Sequence, residues 1–421
     1  MQPSSLAHLT RAAQRQQPGA INALAQALVR AGQPEQALSW YSRSAAAGDA
    51  LAQVEAGRMR AYGVGCEADV GQARAYWELA ERQGTAAAGY LLATLAVGEQ
   101  PLALAGTAQD RLQSAAAADY PPALRAIAIQ HGRVAHPERQ RQCVALLERA
   151  AAGGDAVSAA LLAERLLRGE GVPPQPDAAA QLMQQLQPLG MTALPAVDVA
   201  PPDPADPADD TDDHRIAFAP RVGPVRRHTA PRIEEYAAVL SADECRLLML
   251  LARPHLRASK VIDPNDASTQ RAPVRTSRGA TLDPIIEDFA ARAAQARLAA
   301  CAQLPLAHAE PLSVLCYAPG EQYRAHRDYL PPGTIAADRP TAGNRQRTVC
   351  VYLNDVGAGG DTEFPVAGVR VRPRPGTLVC FDNLHADGRP DADSLHAGLP
   401  VTAGSKWLGT LWFRQQRYRD W

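Results

Sequence analysis

The sequence predicts an α+β multidomain chain in which a solenoid of paired helices precedes a β-rich domain of the sandwich or barrel type. Three observations support this prediction: a repeat over residues 1–190, an abrupt change to proline and aspartate at 191–215, and short strand-like runs within 216–421. A chain of 421 residues has room for two or three domains, and 46% hydrophobic residues suffice for more than one core.

The prediction of helices rests on composition and on a regular period. Residues 1–190 are rich in alanine, leucine, glutamine and arginine, which all favour helices. Marker positions recur at intervals of 36, 34, 36 and 36 residues, at Gly48, Gly84, Ala118, Gly154 and Gly190. Glycine at four of the five markers fits helix ends that need a positive φ. The third repeat departs from the pattern, with Asp110 and Arg111 where most repeats carry bulky side chains.

A period in the thirties is typical of stacked helix pairs, which bury their apolar faces only against their neighbours. The pattern resembles the Sel-like repeats, which are relatives of the tetratricopeptide repeat. The alternative is an alanine-rich helical bundle in which the spacing is accidental.

The stretch 191–215 mixes prolines with aspartates and cannot bury enough apolar surface to offset the entropy of an ordered chain. We therefore expect an extended, self-repelling linker between the two domains. An acidic ligand segment is the alternative interpretation.

Charge and cysteine content narrow the class of protein. The formal net charge of −1 shows no basic excess for nucleic acid or an anionic membrane surface. Seven scattered cysteines without a CxxC pair fit a reducing compartment better than a disulfide framework. The N-terminus lacks a signal-peptide pattern, and no apolar run approaches the roughly 18 residues of a membrane span. We expect a soluble, cytoplasmic protein with neither nucleic acid nor membrane as a partner.

The C-terminal part changes to short strands and a few helices. Residues 241–244 form a capping box that opens a helix through Leu251, and apolar spacing predicts a second helix over 283–304. Strand-like runs follow at 312–317, 347–353, 376–381 and 406–413. The pair Gly359–Gly360 is expected to form a tight hairpin turn before a strand at 362–364.

Four residues indicate the chemistry. His326 and Asp328 are two positions apart, so on a strand they would point to the same face. His396 would have to join them from a distant strand. Two imidazoles and one carboxylate suit ferrous iron and leave coordination positions for a co-substrate and O₂. Lys406, ten residues further on, is placed to hold the far carboxylate of a 2-oxo acid.

Residues 270–415 resemble the prolyl 4-hydroxylase branch of the Fe(II)/2-oxoglutarate dioxygenases. The motifs that carry the resemblance are Arg275-Thr276-Ser277, 315–328, 348–355, 359–365, 394–401, 404–407 and Trp412. Their order and spacing agree over about 150 residues. The resemblance implies a double-stranded β-helix, or jelly roll, with iron at its mouth.

The resemblance also implies roles for individual residues. It implies that His326, Asp328 and His396 hold Fe(II), and that Lys406 pairs with the C5 carboxylate of 2-oxoglutarate. Four further groups complete the expected site: Tyr317 and Tyr323 lining the co-substrate pocket, Tyr352 in preference to Thr348 as a hydroxyl donor, Arg345 and Trp412 facing a peptide, and Arg275 as a structural hydrogen-bonder. For Arg345 and Trp412 the alternatives are a solvated loop arginine and a core tryptophan.

The implied reaction hydroxylates C4 of a peptidyl proline and releases succinate and CO₂, with Fe(II), 2-oxoglutarate and O₂ required and ascorbate a candidate reductant. The segment 329–344 is expected to cover the substrate, and the helical repeats to bind a protein or peptide. Three alternatives remain open. The chain could hydroxylate free amino acids or small peptides, serve as a repeat-based scaffold with an inactive oxygenase-like domain, or bind metal as a cupin-type protein.

Overall fold

The computed structural model describes residues 3–15, 19–99, 105–199, 218–220, 222–259, 261–262, 269–270 and 274–420. The N-terminal part consists of helices in which each packs against the next along the chain. They are α1 Pro3–Gln14, α2 Ala20–Arg30, α3 Pro34–Ala46, α4 Ala50–Tyr62, α5 Val70–Arg82, α6 Ala86–Glu99, α7 Ala105–Ala117, α8 Pro121–Gly132, α9 Pro137–Ala152, α10 Ala156–Arg168 and α11 Pro176–Leu186. This sequential packing confirms the predicted solenoid.

A glycine-aspartate pair marks two of the boundaries between repeats. Gly48 follows α3 and Gly154 follows α9, and their φ angles of 94° and 90° turn the chain out of each helix. The aspartate that follows each glycine then caps the next helix: Asp49 accepts from the Ala52 amide at 2.9 Å, and Asp155 from Ser158 at 3.0 Å. In the irregular third repeat, whose marker Ala118 is the exception to the glycine pattern, the positive φ falls on the next residue, Asp119, at 53°.

The described residues of the C-terminal part form antiparallel sheets and three α-helices. The helices are α12 Ala242–Ala252, α13 Phe289–Ala302 and α14 Pro332–Ala337. The strands are β1 Val225–Thr229, β2 Arg232–Tyr236, β3 Arg257–Ala258, β4 Val261–Ile262, β5 Thr269–Gln270, β6 Arg278–Thr281, β7 Ser313–Tyr317, β8 Tyr323–His326, β9 Arg345–Tyr352, β10 Ala358–Gly359, β11 Thr362–Phe364, β12 Val369–Val371, β13 Leu378–Asp382, β14 His396–Gly398, β15 Val401–Ala403 and β16 Lys406–Arg414.

Two sheets form the predicted jelly roll. One has eight strands in the order β1-β2-β13-β9-β16-β7-β6-β3, and the other has four in the order β12-β11-β14-β8. A cluster of buried side chains, including Ile233, Tyr352, Phe364 and Phe381, connects strands of both sheets. β7, β9, β13 and β16 coincide with the four predicted strand-like runs to within two residues, so the sequence located these strands of the sheet correctly.

The two predicted helices differ in outcome. Ser241 and Glu244 form both hydrogen bonds of the capping box at the start of α12. The second helix begins later than predicted, at Phe289 rather than 283, because the Asp288 side chain caps it by accepting from the Ala291 amide at 2.7 Å. Residues 283–288 form turns in which the Asp283 side chain accepts from the Ile285 amide at 3.0 Å.

The repeat array packs directly against α12 and α13. Helices α6, α8 and α10 supply this surface, and the hydrophobic core runs without a break from the repeats into the jelly roll. Buried polar links cross the interface: Tyr90 accepts from the Phe289 amide at 3.0 Å, and Arg125 pairs with Asp288 at 2.9 Å. The two parts therefore form one continuous body rather than two tethered domains.

The start of the predicted linker is packed, which corrects the expectation of an extended spacer. Val197 is 2% exposed, and the Asp355 amide donates to the Ala196 carbonyl at 2.9 Å. The Asp198 amide donates back to the Asp355 side chain at 2.7 Å. Residues 196–198 thus pack against the jelly roll, and the Leu194 amide donates to Glu164 of α10. The rest of the proline- and aspartate-rich stretch, 200–215, lies outside the described residues. Within the described residues, no helix has the length and apolar character needed to cross a bilayer.

Candidate active site

The two histidines meet as a cross-strand pair. His326 is the last residue of β8 and His396 the first of β14, and the antiparallel register places them opposite each other. Their ring centroids are 4.2 Å apart. Residues 70 positions apart in sequence are therefore direct neighbours, because the four-stranded sheet brings β14 beside β8.

Hydrogen bonds to the main chain orient both imidazoles. The Nδ1 atom of His326 lies 2.8 Å from the Arg324 carbonyl, and that of His396 lies 3.0 Å from the Ser394 carbonyl. Since a carbonyl oxygen only accepts, each Nδ1 carries the ring proton and each Nε2 keeps a free lone pair. Burial lowers the pKa of His396 to about 4, so this ring is neutral at pH 7 and ready to bind a metal.

Asp328 completes the donor set, although not from the strand. β8 ends at His326, so Asp328 lies two residues beyond it and the predicted shared strand face is wrong. Its Oδ1 is 3.6 Å from His326 Nε2, and its Oδ2 is 3.7 Å from His396 Nε2. Burial by itself raises the pKa of Asp328, but the two histidines and Arg345 hold it well below its ordinary value.

The three donor groups fit ferrous iron. Their ligand atoms lie within 4.8 Å of one another, in the only such group of three in the described part of the chain. Two imidazoles and one carboxylate are the donor set of non-heme iron oxygenases. Because all three lie on one side of the cavity, the other side of a bound metal would be open to further ligands.

Two further side chains hold the carboxylate in place. Thr348 on β9 donates to Asp328 Oδ2 at 2.8 Å, and Asn383 donates to the Thr348 hydroxyl at 2.8 Å. Because Asn383 occupies the acceptor side of that hydroxyl, its single proton is directed to Asp328. Thr348 therefore supports a ligand, and the alternative in which it reaches the co-substrate pocket is not what the structure shows.

Replacing Thr348 with valine should weaken metal binding without emptying the site. The Asp328 carboxylate would lose its donor, and outer-shell partners of this kind typically contribute about 10–100-fold in metal affinity. Titration of the apo-protein with Fe(II) or Mn(II) measures the change. Thr348→Ser retains the hydroxyl and serves as the matched control, so equal losses in both variants would contradict the assigned hydrogen bond.

Lys406 lies in the same cavity as the three donors. It is 2% exposed, starts β16 opposite Tyr317, and donates to the Gly360 carbonyl at 2.6 Å. Among the described residues no carboxylate forms an ion pair with it. The glycine pair at 359–360 does not form the predicted simple hairpin, because β10 pairs with β15 and leaves the Gly360 carbonyl facing this ammonium. A buried cation with one neutral partner is suited to an incoming carboxylate.

A cavity connects the lysine to the donor group. Its lining includes His326, Asp328 and His396 together with Lys406 and Arg275. The remaining lining side chains are Leu315, Tyr317, Tyr323, Cys350, Thr362, Leu408, Thr410 and Trp412. A small dicarboxylic acid therefore has a cation for one end and the metal donors for the other.

Comparisons with known proteins agree with this geometry. The family model described as "2OG-Fe(II) oxygenase superfamily" matches residues 312–414. Prolyl 4-hydroxylase 1 of Arabidopsis thaliana is 34% identical over 213 residues, which cover 47% of this chain and 74% of that protein. Probable prolyl 4-hydroxylase 3 of the same plant is 34% identical over 212 residues, covering 45% and 71%. The chain belongs to the prolyl 4-hydroxylase family. It is therefore a 2-oxoglutarate-dependent dioxygenase. Its family implies Fe(II) as the metal cofactor and 2-oxoglutarate and O₂ as co-substrates at this site.

The N-terminal part has matches of its own. The Sel1 repeat model matches residues 27–49, 50–85, 121–155 and 156–186. Among solved structures, a Sel1 repeat protein from Oxalobacter formigenes is 21% identical with a TM-score of 0.37, covering 45% of this chain and 84% of its own.

A second solved structure, the viral collagen prolyl hydroxylase of Paramecium Bursaria Chlorella virus-1, is 24% identical with a TM-score of 0.33, covering 43% of this chain and 95% of its own.

Three tyrosines were predicted to line the co-substrate pocket of this family member. Tyr317 and Tyr323 do line the cavity, and the Tyr323 ring stacks on His326 with centroids 3.4 Å apart. Tyr352 does not contribute to the lining, because its hydroxyl donates to Thr362 at 2.8 Å. Thr362 and Cys350 stand at the cavity wall instead. The contacts of all three tyrosines with a co-substrate stay a prediction.

The two residues predicted to face the substrate lie together at the cavity edge. The Arg345 guanidinium sits 4.0 Å above the Trp412 ring and forms a two-pronged ion pair with Glu310, in which both N–O distances are 2.7 Å. Arg345 is thus held rather than solvated. Trp412 lines the cavity, and its buried Nε1 has no hydrogen-bond partner among the described residues.

Sequence reasoning missed Cys350 and Asn383. Arg275, expected as a structural hydrogen-bonder, lies 5.0 Å over the Tyr323 ring and also lines the cavity. Alternation along β9 could have placed Cys350 on the same face as Thr348 and Tyr352, since the three are two residues apart. Asn383 gave no signal, because its contact with Thr348 depends on the turn after β13.

The buried lysine predicts a pH dependence for co-substrate binding. Burial lowers the pKa of Lys406 to about 8 in the free protein, so the ammonium loses its proton as pH rises through 8. A carboxylate binds only the protonated form, so the Kd of 2-oxoglutarate should rise about tenfold between pH 7 and 9. Calorimetric titration of the metal-loaded protein with 2-oxoglutarate measures this Kd at each pH. The guanidinium of the variant Lys406→Arg stays protonated, so this variant should lack the rise, and a flat wild-type profile would refute the expectation.

Proposed function

We propose that this chain hydroxylates C4 of a prolyl residue within a peptide or protein. In this reaction 2-oxoglutarate loses CO₂ and becomes succinate, one atom of O₂ enters succinate, and the other enters the new hydroxyl group. The observation that carries the proposal is the convergence of His326, Asp328 and His396 on one side of a cavity that also holds the buried Lys406, which has no carboxylate partner among the described residues.

The choice of a peptide substrate rests on the cavity edge. Trp412 lines the cavity, and its indole N–H has no hydrogen-bond partner among the described residues, so it can donate to a carbonyl group of an extended chain. The Arg345 guanidinium, held by Glu310, stacks on the Trp412 ring. The relatives with 34% identity are named as prolyl 4-hydroxylases, which favours proline as the target residue. Together these two observations favour a prolyl residue within a chain over a free amino acid.

The helical repeats and the reductant complete the proposal. We infer that the repeats contribute to recognition of a protein partner, since stacked helix pairs present extended surfaces. Ascorbate is the candidate reductant that would keep the iron in its ferrous state between turnovers.

Anaerobic reconstitution with Fe(II) and 2-oxoglutarate tests the site first. A visible charge-transfer band should appear, and it should be absent from His396→Ala. Succinate release is then followed with proline-rich peptides, free proline and other free amino acids, and products are examined by mass spectrometry for a gain of one oxygen. A band with turnover only on free amino acids would replace the peptide proposal, and iron binding without a band would refute the co-substrate assignment.

A further inference from the structure

A connected set of buried polar side chains runs from the repeat domain to the edge of the active-site cavity. At the cavity end, Glu310 holds Arg345 through both carboxylate oxygens and also accepts from Arg414 at 2.5 Å. The position of the Arg345 guanidinium above Trp412 therefore depends on where residue 310 lies.

Arg419, in the C-terminal tail, fixes the main chain at that point. Its Nε donates to the Ala309 carbonyl at 2.8 Å and its Nη2 to the Glu310 carbonyl at 2.9 Å. On the opposite side the Glu310 amide donates to the Trp412 carbonyl at 2.8 Å. The short segment that carries Glu310 is thus fastened between β16 and one guanidinium.

The other contacts of Arg419 lead to the repeats. Its Nη2 donates to Gln295 at 2.7 Å, and its Nη1 lies 3.5 Å from Glu287. Glu287 also accepts from Arg292 Nε at 3.1 Å, and Arg292 Nη1 donates to the Thr94 carbonyl of α6 at 3.0 Å. Helix α6 packs against α13, which supplies both Gln295 and Arg292.

These groups form a rigid arrangement. Glu287, Gln295, Arg292 and Arg419 are all at most 6% exposed. Burial lowers the pKa of Arg419 to about 10, which still leaves it charged at pH 7. A guanidinium is a planar fork with fixed directions for its donors, so a shift at α13 changes the position of the acceptors at residues 309 and 310.

We propose that Arg419 is a positioning residue through which the packing of the repeat array on α13 sets the Glu310–Arg345 pair at the peptide-facing edge of the site. The proposal rests on the proposed function, because it takes Arg345 as a group that meets the peptide. The repeats then act on the reaction through the geometry of the oxygenase domain, in addition to any partner that they bind.

The full chain with Arg419→Gln tests the proposal. The KM for a proline-rich substrate peptide should rise about tenfold. The KM for 2-oxoglutarate, and the rate of succinate release without peptide, should stay within twofold of the wild-type values. The peptide KM of Arg419→Lys should lie between those of wild type and Arg419→Gln, since one ammonium replaces only part of the guanidinium fork. Arg292→Lys, on the side of the repeats, should raise the peptide KM in the same direction by a smaller factor.

The matched control is Arg389→Gln, an exposed arginine that pairs with Asp387, which should change none of these constants. Hydrogen exchange gives a readout that needs no substrate: the amide of Glu310 should exchange faster in Arg419→Gln than in wild type. Equal losses in every kinetic constant, or an unchanged peptide KM together with unchanged exchange, would overturn the proposal. If Arg419→Gln fails to fold, Arg419→Lys and Arg292→Lys decide it. A wild-type protein that turns over no peptide, yet shows the exchange difference, would instead refute the proposed function alone.

Discussion

Replacing Asp328 with asparagine should reduce succinate formation below detection. The side chain keeps its size, but the only anionic donor of the group becomes a neutral amide. Loss of a direct ligand should exceed the roughly 10–100-fold cost of losing an outer-shell partner, so Fe(II) affinity should fall by more than the Thr348→Val change. Metal titration and succinate release, measured on the same preparation, check both expectations.

The control for this variant is Asp387→Asn, in which an exposed carboxylate paired with Arg389 is neutralised away from the cavity. It should retain wild-type turnover and metal affinity. Turnover within tenfold of wild type in Asp328→Asn would show that the carboxylate is not a required ligand, and the assignment of the metal site would then be wrong.

The metal donors could be found from the sequence because their chemistry is specific, but their geometry could not. The tripeptide 326–328 suggested a shared strand face, yet β8 ends at His326 and the loop brings Asp328 in. What holds that loop is a network formed by Thr348 and Asn383, which are 20 and 55 positions from Asp328. Such contacts depend on the register of β9 with β13, which residue types alone do not determine.

The fold was predictable where local signals decide it. The helix end at Gly48 and the capping box at Ser241 act within a few residues, and both appear as expected. The packing of the repeats on the oxygenase domain was missed, and an open linker was predicted instead. Arg297 of α13 looks like a surface residue in a sequence, because its buried carboxylate partner, Glu244, lies 53 positions away.

Glu244 is the clearest case, and its replacement with alanine should destabilise the whole chain. Its carboxylate is fully buried and pairs with Arg133, the residue after α8, and, at 2.5 Å, with Arg297 of α13. Removal takes this counter-ion from the buried Arg297 and from the half-buried Arg133, and breaking a buried pair typically costs about 3–5 kcal/mol. Urea unfolding followed by far-UV circular dichroism and by tryptophan fluorescence measures the loss.

The acid limb of stability provides a second test of the same group. Burial alone raises the pKa of Glu244, but the two arginines and the Ser241 amide hold it below its ordinary value. Its contribution is therefore present above the unfolded pKa of about 4.3 and is lost as pH falls below that value. The Glu244→Ala protein should accordingly show a shallower loss of stability than wild type in this range.

Glu138→Ala is the matched control, because Glu138 forms an exposed ion pair with Arg141 in the repeat that also contains Arg133. Such surface pairs contribute about 0–1 kcal/mol. Since α8 and α13 share one core, the circular dichroism and fluorescence transitions should coincide in wild type, as for a single cooperative unit. Two separated transitions, or a Glu244→Ala loss no larger than that of Glu138→Ala, would mean that the repeats and the oxygenase domain are stable independently of each other.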